Sequence, residues 1–204
     1  MSILITTFSR AYPRYHARKG QATFFAEKIL HSLSIDPFVN DYTDLLYKLN
    51  CTKEDNTKVC DQFLETIWDL DTPAGQPILN KHHTIRSGFR AKVGDHIKPC
   101  VWKLAGGRFA KGNQLIQFAP LLQLTSICTF GIDDCGFIEI NNNTPELPEY
   151  HELLDQLANN DGLESQAFMN WFVTAPGFRN NQSHGQIRCW NPDIDYTKLI
   201  KSNL

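Results

Sequence analysis

The sequence predicts a single α+β domain, in which short strands form a barrel or a strongly curled sheet with helices on its outside. Short β-branched and apolar runs separated by glycine turns recur at close spacing in the second half of the chain, which is typical of barrels. Elsewhere apolar residues recur at intervals of three and four, which is typical of helices with one buried face. A chain of 204 residues is long enough for one such domain to bury roughly 70% of its unfolded surface.

The elements before residue 80 are a strand, a loop and several helices. Residues 2–9 are β-branched and apolar, which predicts a strand. Residues 12–20 mix cations with aromatic side chains, a composition that binds phosphates and stacks on bases. Apolar residues four apart predict a helix over residues 23–33. The same periodicity predicts two further helices at residues 42–49 and 55–70.

Short strands and two helices are predicted for the rest of the chain. Strands are expected at residues 100–104, 114–118, 122–129, 137–140 and 185–190, with glycine turns at 94, 106–107, 131 and 136. The helices are expected at 147–157 and 166–172, with Asn160-Asp161-Gly162 ending the first and Ser165 capping the second. The polar tail beyond Pro192 is expected to be peripheral.

Residues 81–86 have the sequence Lys-His-His-Thr-Ile-Arg and bring together the polar side chains that are best suited to binding or catalysis. In a strand alternate side chains point to opposite faces, so Thr84 and Arg86 share one face. A hydroxyl and a guanidinium would therefore lie side by side. Lys81 lies an odd number of residues from Thr84, so it joins that face only if the chain bends near His82.

The formal net charge of −2 hides a strong asymmetry along the chain. Residues 10–19 hold four cations and no acid, and residues 81–111 hold eight cations against Asp95 alone. Residues 112–178 contain no Lys or Arg and carry nine acids. If the two basic segments adjoin, they form a positive face suited to phosphates. The alternative is that acidic helices cover the basic sheet.

Composition also sets expectations about location and cofactors. The six cysteines contain no Cys-x-x-Cys pair, which argues against a zinc ribbon or a thioredoxin-like motif and favours buried free thiols. No apolar run approaches the ~20 residues that span a bilayer, and no signal-like layout begins the sequence. We expect a cytoplasmic protein without a metal or a cofactor. His82 and His83 are adjacent and would face opposite ways in a strand, so they are poor joint metal ligands.

Three pieces of this sequence together resemble the ASCH domain, a small β-barrel family related to the PUA and EVE RNA-associated folds. They are Lys-x-x-Thr-x-Arg at 81–86 with the following Val-Gly-Asp turn, Leu-Ala-Asn-Asn-Asp-Gly-Leu at 157–163, and Phe-Met-Asn-Trp-Phe at 168–172. The resemblance covers the start of the chain and about residues 78–190. It implies one PUA-like barrel over residues 1–204, with a helical insertion at about 34–77 that forms a lid, a wider binding surface or a dimer contact.

The site residues are similar to those of ASCH amidohydrolases from bacteria, which deacetylate N4-acetylcytidine through a Lys, a Thr and a Glu. The resemblance implies that Lys81 is the base, Thr84 the nucleophile, and Arg86 the arginine that orients or stabilises charge. Asp161 lies where those enzymes carry the Glu and would protonate the leaving amine. Asp is one methylene shorter, and a shift of ~1 Å in a catalytic group can lower the rate ~100-fold. An alkaline optimum is expected, because Lys81 must be neutral to act as a base.

From the sequence we favour binding of RNA or a modified nucleotide over catalysis. The base would lie in the cleft, and the phosphates would lie beside Tyr15 and the cations Arg14, Arg18, Lys19 and Lys92. In this interpretation Lys81 and Arg86 bind phosphate and Asp161 pairs with Arg86. The amidohydrolase is one alternative, and a metal-independent ribonuclease is another because some ASCH proteins cleave RNA.

Overall fold

The structure is a computed structural model that describes residues 1–21, 23–34, 79–102, 111–112, 114–132, 137–144, 146, 149–173 and 185–196. The described residues form eight strands and three helices, so the α+β class is confirmed. The helices predicted at 42–49 and 55–70 lie outside the described residues, as do the turns predicted at 106–107 and 136. The role of the predicted insertion stays a prediction.

The first sheet is built around one central strand. β1 (Ile3–Thr7) runs parallel to β3 (His96–Trp102), with Thr7 opposite Cys100 at its end. β4 (Leu115–Gln117) and β5 (Leu122–Gln123) pair antiparallel with β3. The turn predicted at Gly94 precedes β3, and its φ of 87° is one that glycine adopts without strain.

The second sheet is antiparallel throughout, in the order β2, β8, β6, β7. β2 (His83–Ser87) is the strand predicted from the central motif, and β8 (Gly185–Cys189) is the predicted closing strand. β6 (Ser126–Ile132) and β7 (Ile138–Ile140) complete the sheet. A Cβ at Gly185 would lie 2.6 Å from the carbonyl oxygen of Arg86, so only glycine allows this approach.

The single strand predicted at 122–129 is two strands, because the chain changes sheet at Leu124 and Thr125. The Leu124 amide donates to the carbonyl of Asp95, beside the first sheet, at 2.8 Å. The Thr125 amide donates to the carbonyl of Cys189, in the second sheet, at 2.9 Å. In the part of the chain that the structure describes, the strands form two four-stranded sheets and no closed barrel.

All three described helices begin and end near the predicted positions. They are α1 (Phe25–Ser32), α2 (Glu149–Asn160) and α3 (Ser165–Val173). Each forms because its apolar side chains recur on one face, and those side chains are buried in the core. None of these helices has the length and apolar character needed to cross a membrane.

Aromatic side chains join the helices to the second sheet. The ring of Phe130 lies 6.3 Å from that of Phe168 and 5.5 Å from that of Phe172, both on α3. Burying one such side chain contributes about 2–3 kcal/mol. Tyr196, in the tail that we predicted to be peripheral, is fully buried, so that prediction is wrong at this residue. The tail turns back because Tyr196 finds a hydrogen-bond partner, His83, in the core.

The link between α2 and α3 is short and places an acid against the start of β2. Asp161 follows α2 directly and forms an isolated antiparallel bridge with Lys81. Gly162 then takes a φ of 72°, as expected for a glycine that ends a helix. A Cβ on Gly162 would lie 3.0 Å from Lys28 and 3.4 Å from Lys81, so the link packs closely on both lysines.

Candidate active site

A pocket of about 240 Å³ opens between the ends of the two sheets and the helices. Its polar lining contains the four residues to which the resemblance gives roles in one site, and its apolar lining is mostly aromatic. The polar members are Thr7, Ser9, Lys81, Thr84, Arg86 and Asp161, and the apolar ones are Phe8, Phe25, Ile85, Trp102, Trp171 and Phe172.

Lys81 faces the pocket because β2 begins only at His83, so the strand alternation does not reach back to Lys81. His82 lies between the bridge and the strand, and its amide donates to the carbonyl of Asn160 at 2.7 Å. The carbonyl of Lys81 accepts a hydrogen bond from the Ser32 hydroxyl at 3.0 Å. These two hydrogen bonds hold the backbone in the bend that allows Lys81 to face the pocket.

The Lys81 ammonium and the Asp161 carboxylate form a buried ion pair. Nζ donates to Oδ1, and also to the backbone carbonyl of Asp161 at 2.8 Å. The two side chains are only 2% and 5% exposed. Nζ also lies 4.2 Å from the centroid of the Phe25 ring, where the negative face of the ring attracts a cation. Asp161 therefore pairs with Lys81, rather than with Arg86 as we considered.

Burial changes both pKa values of this pair toward each other. It lowers the pKa of Lys81 to about 8, although Asp161 opposes this shift, and Arg86 adds to it. Burial also raises the pKa of Asp161, although Lys81 opposes that shift. Both changes have one cause, which is that the charged forms lose their hydration. Both shifts therefore reduce the difference in free energy between the ion pair and the form in which both groups are neutral.

Arg86 and Thr84 lie beside this pair on β2. The Arg86 guanidinium donates to the carbonyl of Thr7 at 2.6 Å, and its Cζ lies 5.4 Å from the centroid of the Phe8 ring. Burial lowers the pKa of Arg86 to about 10, so it stays charged at neutral pH. Thr84 is buried and presents its hydroxyl on the same strand face as Arg86. A hydroxyl, an amine, a carboxyl and a guanidinium thus border one small cavity.

Two of the residues predicted to bind phosphate, Lys81 and Arg86, line the pocket, whereas the cations and the tyrosine predicted to lie beside the phosphates do not. Arg14, Lys19 and Lys92 are exposed, and Tyr15 is 37% exposed. Arg18 forms an ion pair with Glu164 at 2.5 Å, so at this position an acid does cover a cation.

The loop that contains Arg14, Arg18 and Lys19 nevertheless packs next to the pocket. His16 donates to the carbonyl of Ala167, and the Tyr12 ring lies 5.5 Å from that of Trp171, which lines the cavity. Lys92 belongs to the turn before β3, where its amide donates to Asp95.

Three residues near the pair were not predicted. His83 has its Nε2 3.6 Å from Oδ1 of Asp161. The Lys28 ammonium donates to the carbonyl of Gly162 at 2.5 Å. Arg188, buried on β8, is the cross-strand neighbour of Thr84. Each depends on a contact between distant parts of the chain, and the only sequence signal was the alternation that put His83 and Thr84 on opposite faces of β2.

No family model, curated protein or solved structure matches this chain. The class of the protein is therefore defined by the geometry of its fold and site. It is an α+β protein with a small aromatic pocket that holds a buried lysine–carboxylate pair. In the described residues, no three His, Cys, Asp or Glu side chains are grouped so that they could hold a metal ion.

Proposed function

We propose that the protein is a hydrolase with a PUA-like, ASCH-type fold that binds an N4-acetylcytidine-type nucleoside in this pocket and removes its acetyl group. The observation that carries the proposal is the buried pair of Lys81 and Asp161 on a pocket wall shared with Thr84. The order of these groups along the chain is that of the amidohydrolases that the sequence resembles. Binding alone does not require a lysine with a lowered pKa, whereas activation of a threonine does.

The size and lining of the pocket favour a nucleobase or nucleoside. A cavity of about 240 Å³ is smaller than most drug-sized sites. Trp102, Trp171 and the phenylalanines of the lining offer flat apolar faces, and a base that stacks on such a ring gains about 1–3 kcal/mol. A single base with a small acyl group suits this volume better than a stretch of RNA.

The paired groups supply both proton transfers that amide hydrolysis needs. Moving one proton from Lys81 to Asp161 gives a neutral amine and a carboxylic acid without exchange with solvent. The amine then takes the proton of the Thr84 hydroxyl, and the oxygen attacks the acetyl carbonyl. The acid gives its proton to the departing N4 amine of cytosine. Water then hydrolyses the acetyl-threonine ester, so that one amide and one water give acetate and cytidine.

Arg86 provides positive charge where the carbonyl oxygen becomes negative. Its guanidinium has five N–H donors, one of which binds the Thr7 carbonyl and fixes the plane of the group. A cation held in place within a poorly hydrated site stabilises a developing oxyanion more strongly than the same cation in water.

The proposal predicts that the wild-type protein releases acetate and cytidine from N4-acetylcytidine, and that Asp161→Glu raises kcat. The Glu side chain restores the reach that the resembling enzymes have, and a gain of up to about 100-fold is expected if reach limits the leaving-group step. Chromatographic detection of cytidine over time measures both variants. Asp161→Asn is the matched control, since it keeps the shape of the side chain and removes the acid, so its kcat should fall.

Absence of cytidine from both the wild-type protein and Asp161→Glu would contradict this function. Mass spectrometry of molecules that co-purify with the protein would then identify the ligand that the pocket holds.

Binding of RNA is a second candidate, and the packing of residues 10–21 favours it. This loop presents Arg14, Tyr15 and Lys19 to solvent while its Tyr12 and His16 pack against Trp171 at the pocket. Phosphates next to a bound base would therefore meet cations. The same arrangement suits the single phosphate of a modified nucleotide.

If RNA is the ligand, its affinity should fall steeply with added salt, because each phosphate contact releases counterions. The expected slope of log K against log salt is about −0.7 for each phosphate contact with single-stranded RNA. Titration of a labelled single strand at several salt concentrations measures this slope. The matched variants are Arg14→Ala/Lys19→Ala, in the loop beside the pocket, and Lys92→Ala, in the turn before β3. A flat response contradicts RNA binding, and shortening of the strand would favour the ribonuclease.

A further inference from the structure

His83 lies directly behind the Lys81–Asp161 pair and contacts two groups from distant parts of the chain. Its ring is fully buried. Nδ1 lies 2.6 Å from the hydroxyl of Tyr196, and Nε2 lies 3.6 Å from Oδ1 of Asp161, the oxygen that binds Lys81. Nε2 has no hydrogen bond within the described residues. The ring therefore joins a buried tyrosine on one side to the acid of the pocket on the other.

The contacts of Tyr196 determine which nitrogen of His83 carries the proton. Burial lowers the pKa of His83 well below its ordinary value, so the ring is neutral with one N–H. Burial raises the pKa of Tyr196 well above its ordinary value, so its hydroxyl keeps its proton. That hydroxyl, 2.6 Å from the ring, donates its proton to Nδ1. The N–H of the ring is then at Nε2 and faces the carboxylate.

The opposite tautomer is unfavourable here for an electrostatic reason. With the proton on Nδ1, the Nε2 lone pair would face the ionised oxygen of Asp161 in a site of low dielectric. At 3.6 Å the Nε2–H is too far for a strong hydrogen bond to Oδ1 while Lys81 holds that oxygen. Hydrogen bonds of this kind reach to about 3.2 Å, so the two atoms need to approach each other by about 0.4 Å once Lys81 releases Oδ1.

We propose that His83 is a positioning residue of the hydrolase, which holds Asp161 through its Nε2–H in a tautomer fixed by Tyr196; this rests on the proposed function. Its contribution comes when Asp161 has given its proton to the leaving amine. The carboxylate that forms then accepts a hydrogen bond from the Nε2–H of His83. Because this bond stabilises the carboxylate, the acid form gives up its proton more readily. His83 keeps its own proton throughout and exchanges none with the substrate.

Tyr196→Phe is the variant that tests this, since it removes only the hydroxyl that fixes the tautomer. We expect kcat for N4-acetylcytidine to fall about 10-fold, because the acid is no longer held in one position. KM should stay within about twofold, since Tyr196 does not line the pocket. Tyr150→Phe, which removes a hydroxyl from another buried tyrosine, on α2, is the matched control and should leave both constants unchanged. Circular dichroism establishes that the variants fold.

A spectroscopic measurement on the wild-type protein does not depend on turnover. Long-range ¹⁵N–¹H correlation spectra at neutral pH should show a protonated Nε2 and an unprotonated Nδ1 for His83, and a mixture of both tautomers in Tyr196→Phe. A proton on Nδ1 in the wild-type protein would overturn the inference. So would a kcat for Tyr196→Phe equal to that of Tyr150→Phe. If the wild-type protein shows the expected tautomer and no turnover, the proposed function fails, and the positioning role of His83 in hydrolysis fails with it.

Discussion

Replacing Lys81 by methionine is expected to lower hydrolysis of N4-acetylcytidine by about 10³-fold, within the range that a general base contributes. Methionine fills a similar volume beside Phe25, so the loss reflects the missing amine rather than an empty space. The initial rate of cytidine release at saturating substrate measures it. Lys28→Met is the matched control, because burial lowers the pKa of Lys28 to about 8 as well, yet Lys28 does not line the pocket. Its rate should stay within about 10-fold of wild type.

The pH dependence of the wild-type rate checks the same assignment. The active form needs a neutral Lys81 and a protonated Asp161, so it exists only while the pair holds one proton. The rate should fall as the pH rises through the pKa of Lys81, about 8, and also as the pH falls through the raised pKa of Asp161. This replaces the alkaline optimum expected from the sequence. Similar rates in Lys81→Met and Lys28→Met would contradict the role of Lys81.

Removing the acid alone should destabilise the fold severely, and removing both charges should restore most of the loss. Asp161→Leu leaves the Lys81 ammonium buried without its partner, and such a change costs about 3–5 kcal/mol. The double variant Lys81→Met/Asp161→Leu replaces the pair by apolar groups. Its free energy of unfolding is expected to lie within about 1–2 kcal/mol of the wild-type value. Urea denaturation at pH 7 measures the free energy of unfolding of all three proteins.

The destabilisation of Asp161→Leu should shrink as the pH rises. Without Asp161, the pKa of Lys81 in the folded state loses the interaction that raises it. Over the range between that pKa and the higher value in the unfolded chain, the unfolded state binds more protons, so the stability increases with pH. Equal losses in the single and the double variant would show that the volume of the side chains matters here and their charge does not.

Sequence patterns predicted the local parts of the site well, because strand alternation and helix ends are local properties. Thr84 and Arg86 share a face of β2, and Asp161 follows the end of α2 beside a glycine of positive φ. Strand alternation also predicts that Lys81 joins them only through a bend near His82. Only the resemblance implied that Lys81 and Asp161 share one site, since eighty residues separate them, and their direct contact was not predicted.

The remaining features depend on tertiary contacts that no short pattern contains. The residues at 122–129 are uniformly suited to a strand, yet the chain changes sheet within them, because the partners of Leu124 and Thr125 lie in different sheets. Tyr196 lies in a polar tail, yet it is buried, and its hydroxyl is hydrogen-bonded to a histidine 113 residues away. The ASCH resemblance stays a prediction, and the described strands form two sheets instead of the closed barrel that it implies.

The change of sheet at Leu124 and Thr125 also limits how far the two walls of the pocket can move apart. Two consecutive peptide groups anchor the first sheet through Asp95 and the second through Cys189. The pocket takes Thr7 and Trp102 from the first sheet and Thr84 and Arg86 from the second, so its two walls are joined by the covalent chain itself. Spreading the walls would break backbone hydrogen bonds at this junction. We therefore expect the distance between Thr84 and the opposite wall, formed by Thr7 and Trp102, to change little when a ligand binds.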